Sequence, residues 1–248
     1  MFYRTLFSLK GGYSLKNEKQ NQSHMKMIDE LEKSEKITET EEFDHFFKQV
    51  LKKMPANSAQ IIQKSLGKSK EKSERFIAKN NQKFDQLFDE LLVGVDETTR
   101  KKSHQTIHFA TLAAAIVGFS PIPFSDALLL VPIQLTMMMR LHKLFGASWS
   151  EGLAQGITKE LVLVGVGRSA AGNVLKFVPA FGSVAGGVIN ATVAVTITET
   201  LGWLTVKMLN DGEDIFKEVL TFEGQFKRLL KKYIRSKNKW MILSVNKK

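Results

Sequence analysis

From Ile107 to Met139 the chain runs 33 positions with a single formal charge, Asp126. That charge stands behind two closely spaced prolines, in Ser120-Pro121-Ile122-Pro123-Phe124-Ser125-Asp126. Proline fixes φ and has no N–H, so it stops an incoming helix and suits the start of the next. Two apolar arms joined by such a corner read as a hydrophobic helical hairpin. Leaving its surface in water would cost about 25 cal/mol per Å², so protein or lipid must cover it.

The arms are short for a membrane span. The uncharged part of the first, Ile107 to Phe119, has 13 residues, or roughly 20 Å at 1.5 Å per residue, against a hydrocarbon core of about 30 Å. The second, Ala127 to Met139, is equally short and holds Pro132, which removes one helical hydrogen bond and is expected to kink the arm. A re-entrant or monotopic hairpin remains open, as does a soluble bundle.

Composition changes near residue 104. Before it the chain is polar and charged; after it lie four of the five prolines and most of the 17 glycines. Phe43, Phe46, Phe47, Val50, Leu51 and Met54 fall at helical spacing and predict an amphipathic helix from Glu41 to Met54, ended by Pro55. A second helical stretch lies around Ile61, Ile62 and Leu66, with Gly67 as its breaker. Lys68 to Val95 reads as a long helix with Phe84, Leu87, Phe88, Leu91, Leu92 and Val95 on one stripe. Four apolar arms follow, Ser103 to Phe119, Ser125 to Phe145, Ser150 to Phe177 and Gly182 to Leu209, with Pro179 and Gly182 at the second corner. The fourth includes 21 uncharged positions, Val178 to Thr198, and the spacing Gly182-x-x-x-Gly186, which permits close helix contact in lipid or out of it. A faint repeat sets Pro123 and Gly146 against Pro179 and Gly202, with Gln134 and Thr136 against Asn190 and Thr192.

The expected fold is all-α: a bundle of two Pro/Gly-hinged hydrophobic hairpins preceded by charged amphipathic helices. The expected organisation is a flexible N-terminus (1–22), a charged helical arm (23–102), the hairpin domain (103–211) and a basic amphipathic helix and tail (212–248).

Net charge is +11, and from Gln225 to Lys248 there are nine Lys/Arg and no Asp/Glu. Lys227, Arg228, Lys231, Lys232 and Arg235 sit beside an apolar stripe, with Trp240 behind them. That pattern suits an interfacial helix on anionic lipid, and these six residues are the lipid-contact candidates. Cations at the C-terminal end of a docked helix read equally well. Nucleic acid is the weaker reading, because the tail has no recognisable binding module. The chain has no Cys, which excludes disulfides and a thiol nucleophile. Its first ten residues hold no apolar stretch of signal-peptide length, so secretion is not expected.

Motifs for chemistry are weak. Gly165-x-Gly167-x-x-x-x-Gly172 is followed by Asn173 and Val174, where a phosphate loop needs Lys and Ser/Thr. His104 and His108 lie one helical turn apart, but neither an intervening Glu nor a third ligand is evident. Asp126 reads as a first-turn residue capped by Ser125. Glu199 and Arg168 could pair across the bundle and offset each other's burial. No catalytic residue, cofactor or metal is assigned, and the chain is read as a non-enzyme.

Gly118-Phe119-Ser120-Pro121-Ile122-Pro123-Phe124-Ser125-Asp126-Ala127, followed by Leu130-Val131-Pro132-x-Gln134, resembles the signature of the bacterial domain-of-unknown-function family 697. A second block resembles the other half of that family: Gly172-Asn173, Leu175-Lys176-Phe177-Val178-Pro179, Phe181-Gly182, Val184-Ala185-Gly186-Gly187, Ile189-Asn190-Ala191-Thr192 and Leu201-Gly202-Trp203. The likeness covers about residues 100 to 211, with Pro121, Pro123, Asp126, Pro132, Gln134, Pro179, Gly182 and Gly186 as its hinge and signature positions. The resemblance implies a helical, membrane-linked accessory domain, often fused behind an Era-like or dynamin-like GTPase domain and also found in YcjF-type membrane proteins. This chain departs from the fused pattern, since its first 100 residues read as charged helices. A GTPase would therefore be a separate partner. The expected function is a non-catalytic accessory or regulatory protein at the cytoplasmic face of the cell membrane, acting on anionic lipid. A GTPase or a second copy of the chain is an admissible partner. The alternative is a soluble cytoplasmic all-α scaffold with its hairpins buried internally.

Overall fold

The structure, a computed structural model, describes residues 38–81, 90–122, 127–150, 152, 154–156, 186–212 and 228. The chain divides into two compact units, Met1–His45 and Phe46–Lys248. In the first, residues 38–45 are described and are helical. The second holds α1 (residues 46–51), α2 (Ala56–Asn81), a 3-10 turn (Glu90–Leu92), α3 (Glu97–Phe119), α4 (Ala127–Leu144) and α5 (Gly186–Asn210). No strand occurs among the described residues, and the expected all-α class holds.

The apolar stripe of α1 is buried as its spacing predicts: Phe46, Phe47, Val50, Leu51 and Met54 are all inside. The helix tightens into i→i+3 bonds, from Lys53 N to the Val50 carbonyl and Met54 N to the Leu51 carbonyl, before Pro55. The Pro55 carbonyl then accepts the Ala59 N–H at 3.0 Å and opens α2.

Two boundaries differ from expectation. Gly67 does not break α2, which runs through it for 26 residues. A helix-interior glycine costs only about 1 kcal/mol, and burial of Ile62, Ser69, Ser73 and Ile77 on the inner face outweighs that. The helix expected from Lys68 to Val95 is not continuous. Asn81 ends α2, Gly94 takes a φ of 83° that a right-handed helix cannot hold, and Asp96 is extended. Phe84, Leu87 and Phe88 lie outside the described residues.

α3 begins at Glu97, six residues before the expected Ser103. Asp96 is its N-cap, with Oδ1 accepting the Thr99 N–H at 3.0 Å, and Glu97 places a second acid in the first turn. The side-chain hydroxyl and then the backbone N–H of Thr99 hold the Asp96 carboxyl below its ordinary value of 3.8. α4 closes with Gly146 at φ 68°, Ala147 N donating to the His142 carbonyl at 2.9 Å and Gly146 N to Lys143 at 3.2 Å. That is a Schellman end. Pro132 sits inside α4, which continues past it.

The repeat is not matched by equivalent environments. Gly146 is an open left-handed helix end, whereas Gly202 is a packed position inside α5. Gln134 is buried, and its counterpart Asn190 is exposed.

Two outcomes follow. A Cβ at exposed Gly67 meets nothing within 4 Å, so Gly67→Ala is expected to raise unfolding free energy by about 0.5–1 kcal/mol in a urea titration. An unchanged or lower midpoint would contradict a continuous α2. The Asp96 carboxyl is depressed in the fold, so its contribution is complete above its unfolded pKa and fades as pH falls through the folded one. Asp96→Asn retains a capping oxygen and should flatten this part of the acid-unfolding curve below about pH 4.

Candidate functional site: the glycine-locked helical hairpin

From Phe109 to Gly118 α3 is buried on every face, a run of almost three turns at about 3.6 residues per turn. Such a helix must be apolar all round, which is why the sequence carries no charge there. It packs against α2, α4 and α5, and receives Phe46 of α1 against Phe109, with ring centroids 6.3 Å apart.

Its longest contact is with α5, and small residues set the distance. A Cβ on Gly118 would lie 2.5 Å from the Ala191 Cα and 2.6 Å from its N, so the two backbones meet there with no room for a methyl. At the other end, a Cβ on Gly202 would come within 2.9 Å of Ile107 Cγ1 and Met137 Sδ. Gly118 beside Ala191 and Ile107 beside Gly202 fix α3 and α5 as antiparallel. Edge contact between His104 and Trp203, with centroids 4.7 Å apart, extends the seam. Asn210 at the end of α5 donates to the Val93 carbonyl at 3.1 Å and tethers the turn ahead of α3.

α4 lies along the same seam and runs parallel to α5. Gln134 Nε2 donates to Thr198 Oγ1 at 3.5 Å, the outer limit of a hydrogen bond, and Met137 lies beside Gly202. The register that pairs Gly118 with Ala191 also sets Thr111 level with Thr198. The Thr111 hydroxyl is buried and has no hydrogen-bond partner among the described residues. The outer side of α4 holds α1. Arg140 stacks over the Phe46 ring at 4.8 Å and donates to Gln49 Oε1 at 3.2 Å, and Lys53 Nζ donates to Thr136 Oγ1 at 3.2 Å. Buried His142 lies 2.8 Å from the Met138 carbonyl through Nδ1 and meets the edge of Trp149.

The signature positions separate in this frame. Pro132 and Gln134 are buried in α4, Pro121 is exposed after the end of α3, and Gly186 is the first residue of α5. Pro123, Ser125, Asp126, Pro179 and Gly182 lie outside the described residues, as do Arg168, the glycines at 165, 167 and 172 and the third arm from residue 157 onward; residues 152 and 154–156 of that arm are helical. Glu199 is buried in α5. Of the lipid-contact candidates, Arg228 is helical and exposed, and Lys227, Lys231, Lys232, Arg235 and Trp240 are outside the described residues. His104 engages Trp203, and His108 lies 6.5 Å from Phe109 between ring centroids. No group of three or more metal-ligating side chains gathers among the described residues.

The family model described as a domain of unknown function, DUF697, matches residues 80–235. The chain belongs to the DUF697 family. The matched segment covers α3, α4 and α5 and reaches past both signature blocks. Magnetosome membrane protein 22 of Magnetospirillum gryphiswaldense is 32% identical over 109 residues, which are 42% of this chain and 56% of that protein. The DUF697 chain thus spans little more than half of that relative. No solved structure matches it.

The two glycine contacts differ in what must give way. Gly118 faces backbone, whereas Gly202 faces the ends of side chains. Gly118→Ala should therefore lower stability by about 2–3 kcal/mol and Gly202→Ala by about 1 kcal/mol, measured by denaturant unfolding. The reverse order would place the rigid contact elsewhere.

Proposed function

We propose that this DUF697 chain is a non-catalytic, membrane-associated accessory protein that binds anionic lipid at the cytoplasmic face of the cell membrane. The carrying observation is the pairing of two adjacent uncharged helical segments, Ile107–Phe119 of α3 and Ala127–Met139 of α4, with the likeness to a relative whose name is that of a membrane protein. Among the described residues no helix is long and apolar enough to cross a membrane. The attachment is accordingly read as peripheral or monotopic, with a hairpin entering one leaflet. The nine cations after Glu223 supply the electrostatic part of the attraction. A separate GTPase as partner is the finer reading, supported by the resemblance of the signature blocks alone.

A soluble all-α scaffold is the second reading. It is favoured by the all-round burial of α3 from Phe109 to Gly118, since a segment already covered on all sides has no need of lipid.

Flotation with anionic vesicles separates the two. The full chain is expected to float in low salt and to keep a fraction bound in high salt. A version truncated after Glu223 should lose mainly the salt-sensitive fraction, because exposed charges are screened over about 10 Å at 0.1 M salt. A chain that stays at the bottom of the gradient at every salt concentration supports the scaffold.

A further inference from the structure

The uncharged hairpin is sealed at its proline end by α2, and that cover is poorly matched to what it covers. The outer side of α2 exposes Lys64, Lys68 and Lys72, together with the Glu71–Arg75 ion pair. Its inner stripe is anchored near the ends by two fully buried isoleucines, Ile62 and Ile77, with buried Ser69 and Ser73 between them. The Ser73 hydroxyl donates back to the Ser69 carbonyl at 2.7 Å, so it is spent on its own helix. Two contacts reach the end of α3: Ser65 Oγ lies 3.4 Å from Ser120 Oγ, and the Phe76 ring meets Phe119 edge-on at 5.7 Å. The last turn of α3 that these contacts reach, Ile116 to Phe119, is uncharged. The other side of the same helix end is locked on α5 by backbone contact at Gly118. One neighbour of this end is therefore held tightly, and the other by a stripe half made of serine.

We propose that α2 is a releasable strap over the proline end of the hairpin, held down in solution and lifted at an anionic lipid surface. Lys64, Lys68 and Lys72 meet the phosphate headgroups, and the end of α3 that α2 leaves behind enters the boundary between headgroups and acyl chains. Lipid gains from both events, and only the lifted state presents both surfaces. Lipid therefore shifts the equilibrium by its differential affinity for the two states. The α3–α5 seam stays closed throughout. The proposal rests on the membrane-associated reading above.

The chain contains no cysteine, so Ser65→Cys with Ser120→Cys introduces the sole two thiols, at side-chain oxygens 3.4 Å apart. A disulfide there ties α2 to the end of α3. The measurement is flotation in high salt with vesicles of equal parts phosphatidylcholine and phosphatidylglycerol. Oxidised protein should bind about tenfold less than the same sample after dithiothreitol, because the lock removes the competent state. The opposite perturbation, Ile62→Ala with Ile77→Ala, should increase salt-resistant binding and speed hydrogen exchange in α2, leaving exchange in α5 unchanged. Equal flotation of oxidised and reduced protein overturns the strap and leaves membrane association standing. Failure of the unmodified chain to float in any salt removes the membrane reading, and the strap with it. If the disulfide does not form, the isoleucine variant decides alone: no gain in salt-resistant binding overturns the proposal.

Discussion

Everything in the bundle answers to the fact that α3, from Phe109 to Gly118, has no side left for water. A helix covered all round needs neighbours in several directions, and the order of the chain supplies them: α1 and α2 arrive before it, α4 turns back beside it, and α5 returns along it. Covering every side also limits side-chain size. Ala113, Ala114, Ala115 and Gly118 occupy the half of α3 where α5 comes closest, and the larger Phe109, Leu112 and Ile116 lie among them. Small residues exchange side-chain volume for close backbone approach, so that dispersion over many atom pairs replaces the filling of space by large groups.

Charge follows the same rule. Within the described bundle the cations stand where helices end or outer faces begin: Arg100, Lys101 and Lys102 in the early turns of α3, Arg140 and Lys143 late in α4, and Lys207 near the end of α5 paired with Asp211. Arg140 shows how such a residue serves both environments. Its guanidinium lies on the Phe46 ring and bonds to Gln49, joining α1 to the hairpin at the level where the core becomes surface.

The parts of this arrangement that were legible in the sequence share one physical property, namely that apolar period and turn chemistry coincide. The α1 stripe, the end of α4 at Gly146 and the apolar core of α3 and α5 are of that kind. Where signals conflict, packing prevails. Gly67 reads as a breaker, but its propensity cost is smaller than the burial available to a continuous α2. The start of α3 was displaced because Asp96 and Glu97 precede the apolar period, and a cap signal that far from the stripe is easily passed over. The serines on the inner face of α2 are invisible to a hydrophobic period, since their burial depends on a hydroxyl turned to its own helix. Of the hinge and signature positions, Pro132 and Gln134 are buried in α4, whereas the spacing that relates Gly146 to Gly202 joins an open helix end to a packed position.

That turning of hydroxyls extends well beyond α2. Ser103, Ser120, Thr136, Thr200 and Thr205 are buried, and each donates to the carbonyl four residues earlier: Thr99, Ile116, Pro132, Thr196 and Leu201. These polar side chains place few demands on whatever lies alongside. A helix built this way carries much of its own solvation, and exchanging one apolar neighbour for another, protein for acyl chain, leaves none of these five hydroxyls stranded.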